Sequence, residues 1–160
     1  MNVLALFGIS TLMSLIASGV IAKVYVWPRL RVMNRDEALR LLVMPHMLLR
    51  FIGLSFLVPG VVSASLPAGF AVPAAAGDFV AGILAIAATV ALSGRKSWAA
   101  ALVWVFNIWG AADFLIAFVQ AQRVGIDPGA FGAAFFIPTA IVPPLFITHG
   151  LIFRLLLRAK

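Results

Sequence analysis

A few side chains of this sequence carry chemistry into runs that are otherwise apolar. His46 and Arg50 stand four residues apart in the run Leu41–Val62, and Asp78 sits near the start of Ala74–Ser93. Asn107 and Asp113 fall within Trp98–Val119, and His149 within Ala130–Phe153. An ionisable group inside such a run is a functional candidate by default, because hydrocarbon penalises its charge by several kcal/mol.

Depth along each run, at about 1.5 Å per residue, sorts these groups into two layers. The inner layer holds His46, Arg50, Asn107 and His149. His46 and Arg50 share a helix face, so the layer could form an anionic-ligand pocket, a proton relay, or a bis-histidine haem b site with His46 and His149 as axial ligands. The plainer alternative has Arg50 snorkelling to the surface and both histidines bonded to backbone. The outer layer holds Asp78, Asp113, Gln120 and Arg123, with Asp113 and Gln120 two turns apart on one face. Cation or proton binding at Asp113 is one reading. An ion pair of Asp113 with Arg123, or a cap on a helix end, is the other.

Proline adds a structural element to the chemistry. Pro138 and Pro143-Pro144 interrupt the last run. Each removes a backbone donor and crowds the preceding turn, and in lipid the freed carbonyl needs another partner. The double proline therefore marks a kink or break, either as plain structure or as a substrate site of the kind transporters build at broken helices.

The elements that must position these groups are set by composition. The chain of 160 residues is 64% hydrophobic and 11% charged, with a mean hydropathy of +1.13. Soluble domains run nearer about 45–50% and 25%, and a core of this size cannot hide the excess. A bilayer core of about 30 Å takes about 20 apolar residues in a helix. Five runs qualify: residues 3–22, 41–62, 74–93, 98–119 and 130–153. The expectation is one all-α integral membrane domain, a multi-pass bundle of five transmembrane helices. Met1–Leu6 lacks the positive region of a cleaved signal peptide.

Basic residues give the orientation. Lys23, Arg29, Arg31, Arg35, Arg40 and Arg50 surround the first connection, Arg95 and Lys96 the third, and Arg154, Arg158 and Lys160 the C-terminus. Five spans put all of these on one side, leaving Arg123 on the other. The positive-inside rule then places the N-terminus outside and the C-terminus in the cytoplasm. The same placement accounts for the net charge of +7 without nucleic acid, since the charges flank the spans as anchors. Asn34-x-x-Glu37 reads as a capping box, starting the second helix near Asn34. Tyr25, Trp27 and Trp98 suit interface positions. Residues 63–76, rich in Pro, Gly and Ala, form a connection that caps the bundle or dips into the interface, and Asp127-Pro128-Gly129 marks a turn. Ser10, Ser14 and Ser18, and Ala81, Ala85, Thr89 and Ser93, form small-residue stripes for helix contact.

Enzyme signatures are missing. There is no H-E-x-x-H, no P-loop and no Rossmann glycine pattern. Ser93-Gly94-Arg95-Lys96 fits S-x-x-K but lies in a short turn without companion motifs. Cysteine is absent, which excludes thiolate metal sites and cysteine nucleophiles.

Leu66-Pro67, Phe70-Ala71-Val72-Pro73-Ala74, Gly77-Asp78 and Ala81-Gly82, with Asn107-x-Trp109-Gly110-x-x-Asp113, cover the middle third of the chain. These segments resemble small polytopic membrane proteins of bacteria, mainly proteobacteria, that are uncharacterised. The resemblance implies a bacterial inner-membrane location and no particular activity. The first functional expectation is an accessory or binding subunit, packing against a membrane-protein partner or a second copy of itself. The alternatives are a small transporter or proton/ion pathway using the intramembrane Asp and His residues, and a haem-binding or lipid-acting enzyme.

Overall fold

The computed structural model describes residues 2–158; Met1, Ala159 and the expected basic anchor Lys160 lie outside them. Among the described residues five helices are long and apolar enough to cross a membrane: α1 Val3–Leu30, α2 Arg35–Leu57, α3 Ala68–Ser93, α4 Ala99–Arg123 and α5 Ile137–Leu156. Asn2 opens α1 by accepting the Ala5 N–H at 2.8 Å, and Asn34 opens α2 by accepting the Asp36 N–H at 2.9 Å. Asp36 and Glu37 in the first turn of α2 suit the positive end of the helix dipole.

Several boundaries depart from the hydropathy reading, each for a local reason. α1 continues past Ala22 through a π-turn, Ala22–Val26, directly ahead of Pro28. The wider turn relieves the clash between the Pro28 ring and the Val24 carbonyl. α2 starts before Leu41 because its first turns are amphipathic, and it ends at Leu57, leaving Pro59-Gly60 in a turn where Gly60 has φ +84°. α3 begins at Ala68, so much of the connection expected over 63–76 is helix, with Pro73 inside it. Its buried stripe is Ala81, Ala85, Ala88 and Ala91, while Ser93 is exposed.

The fifth span is broken. A 3-10 stretch, Pro128–Phe135, precedes α5 and turns at Gly132, φ +54°. A Cβ on Gly132 would collide with the Val61 carbonyl. This irregular backbone is satisfied across the bundle end: the Ser63 N–H donates to Ala130 O at 3.0 Å, and the Ala133 N–H to Val61 O at 2.8 Å. α5 then opens with a π-turn, Ile137–Ile141, containing Pro138. The Thr139 hydroxyl donates to Phe135 O at 2.8 Å. Pro143-Pro144 follow directly, at the switch from the π-turn to regular helix, where the wider turn accommodates two residues that lack an N–H donor.

Helices α2, α3, α4 and α5 form a closed ring, each packed on the next and α5 on α2. α1 lies outside the ring against α5 and the Pro128–Phe135 stretch. Its α-helical part, Val3–Ile21, has no fully buried residue. Ser10, Ser14 and Ser18 are its half-buried face. One end of the ring, where α2 and α4 start and α3 and α5 finish, gathers the basic residues. Its core packs Leu39, Val43, Ala88, Val103, Phe106 and Ile152. The core of the opposite end is built on Phe56, Phe70, Ala74, Ala75, Phe131 and Ile137. The polar side chains lie between these two clusters. The outer surface carries large apolar side chains on all five helices, Leu12, Leu48, Val90, Phe118 and Phe146 among them.

Candidate functional site

Arg50 is the hub. It is 1% exposed and stands at the point where α2 tightens into a 3-10 helix, Arg50–Leu57. In a 3-10 helix residues i and i+3 eclipse, so Arg50, Gly53 and Phe56 all point inward, and all three are buried. An eight-residue 3-10 run is longer than usual. It puts a glycine directly beyond the arginine, and that glycine is needed: a Cβ on Gly53 would strike the Asp78 carboxylate.

Four of the five guanidinium N–H donors are used. Nη1 donates to Asp78 Oδ1 at 2.6 Å and to Asp113 Oδ2 at 2.7 Å. Nη2 donates to the Gly110 carbonyl at 2.6 Å and meets His149 Nε2 at 3.0 Å. The Phe114 ring covers the guanidinium, its centroid 3.6 Å from Cζ. One cation is thus held by all three neighbouring helices of the ring. Gly110 and Gly77 make this approach possible. A Cβ on Gly110 would lie 2.6 Å from His149 Cε1 and 2.8 Å from Arg50 Nη2, and one on Gly77 would collide with Asp113 Oδ1. The Trp109 indole N–H donates to the Gly77 carbonyl at 3.2 Å, tying α4 to α3 beside the carboxylates.

Hydrogen-bond logic assigns the histidines. A guanidinium only donates, so His149 Nε2 must accept and its proton sits on Nδ1, which donates to Asn107 Oδ1 at 2.7 Å. Asn107 Nδ2 returns a bond to the His149 carbonyl at 3.2 Å. The Thr148 hydroxyl donates to Leu145 O at 2.7 Å. It therefore accepts from His46 Nε2 at 2.8 Å. His46 Nδ1 and Arg50 Nε are left without partners among the described residues, an acceptor and a donor one helical turn apart.

The two-layer reading merges into one cluster. Arg50 does not snorkel; it links Asn107 and His149 on one side with Asp78 and Asp113 on the other. Asp113 pairs with Arg50 rather than Arg123, which is exposed. Gln120 lies outside the cluster, its Oε1 buried without a partner. Pro143 is buried and lines a neighbouring cavity, while Pro144 is only half-buried. The haem expectation does not suit this geometry. The His46 and His149 rings touch, with centroids 4.4 Å apart, which leaves no slot for a macrocycle between them, and both His149 nitrogens are engaged. Gly53, Phe114 and Thr148 were not singled out from sequence, and Gly77 entered only within the Gly77-Asp78 segment. Gly77 and Phe114 adjoin the two aspartates, and that adjacency was the available signal.

The cavity lies between α1, α4 and the start of α5, with a volume of about 410 Å³. Asp78 and Asp113 are its only charged lining among the described residues. Their side chains remain 10% and 12% exposed, whereas that of Arg50 is fully covered.

The fold and centre define a class: a helical bundle of five apolar, membrane-length helices around one buried arginine–carboxylate cluster. Within that class the chain belongs to the family described as a domain of unknown function (DUF8737), matched over residues 6–157. No curated protein matches it, and neither does any solved structure.

Proposed function

We propose that this chain is a multi-pass inner-membrane protein, N-terminus outside, whose bundle binds or conducts a cation, a proton in the simplest case, at Asp78 and Asp113. The observation that carries this reading is the charge balance of the cluster: two carboxylates share one guanidinium, and the hydrogen bonds leave His149 neutral. With both carboxylates ionised the centre holds one negative charge in excess, far from the basic end. Low dielectric penalises an unbalanced charge, so a proton or another cation completes the site. Asp113 is the acceptor of choice, being the less buried of the two and open to the cavity. The charged groups facing it are Arg50 from α2 and Asp78 from α3, while His149 from α5 reaches Arg50.

Two measurements test this reading. Infrared difference spectra of the purified protein should show the C=O stretch of a carboxylic acid growing as pH falls, and Asp113→Asn should remove it. Reconstituted liposomes should carry a proton flux that the same substitution lowers at least tenfold. A wild-type protein with neither signal overturns the proposal. A second reading, an accessory subunit, rests on α1: it packs on one side only and leaves the rest of its apolar surface uncovered. A stoichiometric partner that protects α1 from cross-linking would favour that role.

A further inference from the structure

We infer that the cavity beside the carboxylates is a binding site for an amphipathic organic monocation, a quaternary or protonated amine with an aryl or alkyl body. The inference rests on the cation-accepting centre proposed above and names the ligand that the centre would take besides a proton.

Three observations lead to this ligand class. First, the charge presented to the cavity has one sign. Arg50 approaches Asp78 and Asp113 from behind and is not part of the lining, so the space is offered carboxylate oxygens and no cation. Asp78 Oδ2 and Asp113 Oδ1 accept no hydrogen bond from any described residue, so acceptor capacity remains. An anion would be repelled, and a neutral apolar molecule would leave the carboxylate charge uncompensated.

Second, apart from Thr11 and Gln122 the remaining walls are apolar and rich in aromatic faces. Phe7, Phe56, Phe70 and Phe131 line the space and pack on one another with centroids 5.7–6.0 Å apart, and Phe114 and Phe118 close its α4 side. Phenyl faces attract organic cations through the ring quadrupole, an interaction that strengthens when water is excluded. The Thr11 hydroxyl donates its proton to the Phe7 carbonyl at 2.8 Å and keeps only its acceptor lone pairs. A small hydrated metal ion would find few oxygen ligands beyond the two carboxylates, whereas an alkylammonium needs none.

Third, size and access fit. About 410 Å³ falls within the roughly 300–1,000 Å³ range of small-molecule pockets. α1 packs on α5 and stands away from α4, so the cavity mouth lies between α1 and α4. Its rim carries the exposed side chains Leu4, Leu115 and Phe118. A ligand dissolved in the bilayer would enter sideways along that apolar rim and place its charge against Asp113.

The test uses the full chain in lipid nanodiscs, with empty nanodiscs correcting for partition. The probes are 4-phenylbutyltrimethylammonium, the neutral isostere in which tert-butyl replaces the trimethylammonium group, and 4-phenylbutylsulfonate. Saturable binding of the ammonium probe is expected, at least tenfold tighter than either of the others. Asp113→Asn should weaken it at least tenfold. Ala121→Phe, which fills the cavity from two turns beyond Asp113, should do the same and decides the matter if Asp113→Asn does not fold. Equal binding of the ammonium and its neutral isostere, or binding indifferent to both substitutions, overturns the inference. A wild-type protein that takes up a proton in the infrared experiment but shows no saturable ammonium binding overturns this inference alone. Absence of both signals overturns the centre as well.

Discussion

The two ends of the bundle are built from different materials. At the basic end α3 offers alanine at its contact positions, Ala85, Ala88 and Ala91, and all three are fully buried under Leu39, Val43, Val103 and Ile152. Small side chains let backbones come close, and packing is dense. At the opposite end α3 again offers buried alanines, Ala71, Ala74 and Ala75, but they pack among the rings of Phe56, Phe70 and Phe131, the fifth span is broken at Gly132, and a cavity opens beside α1 and α4. The comparison separates holding from binding. Close helix contact of small residues fixes the frame, and clustered rings beside a broken span leave a volume. Arg50 sits at the junction, where α2 changes from α to 3-10 helix.

Several substitutions would break or sharpen this contrast. The largest effect is expected at the junction. Arg50→Ala leaves Asp78 and Asp113 buried without their cation, and a loss of about 3–5 kcal/mol is expected. Denaturant or thermal unfolding in detergent checks it against Arg40→Ala at the basic end, which should be far milder. Comparable losses for the two would remove Arg50 from the centre of the account.

Next comes the backbone approach to the arginine. Gly110→Ala puts a methyl group into space held by His149 and Arg50, and a loss of about 1–3 kcal/mol is expected from overpacking. Gly8→Ala on α1, where nothing stands within 4 Å, should be close to neutral in the same assay. Overpacking also separates the two ends directly. Ala88→Leu at the basic end should lower stability by about 1–3 kcal/mol. Ala121→Leu, pointing into the cavity, should change it by less than about 0.5 kcal/mol. Equal tolerance at both positions would erase the distinction between frame and pocket.

Asn107→Ala should cost less than Arg50→Ala. It removes one bond to the His149 ring and one to the His149 carbonyl, and about 1–2 kcal/mol is expected. Its signature is in the ring itself. Nitrogen-15 NMR of labelled histidine should find the Nδ1–H form of His149 in the wild-type protein and, because Arg50 still donates to Nε2, in the variant as well, with the Nδ1 resonance shifted by the loss of its acceptor.

How much of this was legible beforehand differs between frame and site. Asn34 as a helix start, the five apolar segments and the sidedness of the basic residues all follow from local rules. The candidates Arg50, Asp78, Asn107, Asp113 and His149 were each identifiable because an ionisable or amide side chain in an apolar run is conspicuous. Their joining was not. The depth estimate separated Arg50 from the aspartates into two layers, since it counted Cα positions and ignored the reach of a long side chain. Pairing Asp113 with Arg123 failed for a related reason: nearness along the chain is easy to see, whereas the partner that won lies across the ring on α2.

Composition and periodicity alone determined that the chain would be helical, how many long apolar helices it would have, and which polar groups would be out of place among them. Each of these depends on a short window of sequence and on the energetic demand of backbone hydrogen bonding, which a helix meets within itself. The tertiary structure alone decided that one guanidinium would be shared between Asp78 and Asp113, that Gly53, Gly77 and Gly110 would clear its path, and that a cavity would open beside the carboxylates. Those outcomes depend on the order of helices around the ring, the rotation of each about its axis and the 3-10 tightening at Arg50. Such relations arise between segments far apart in the chain, where side-chain packing is the arbiter and no local pattern encodes it.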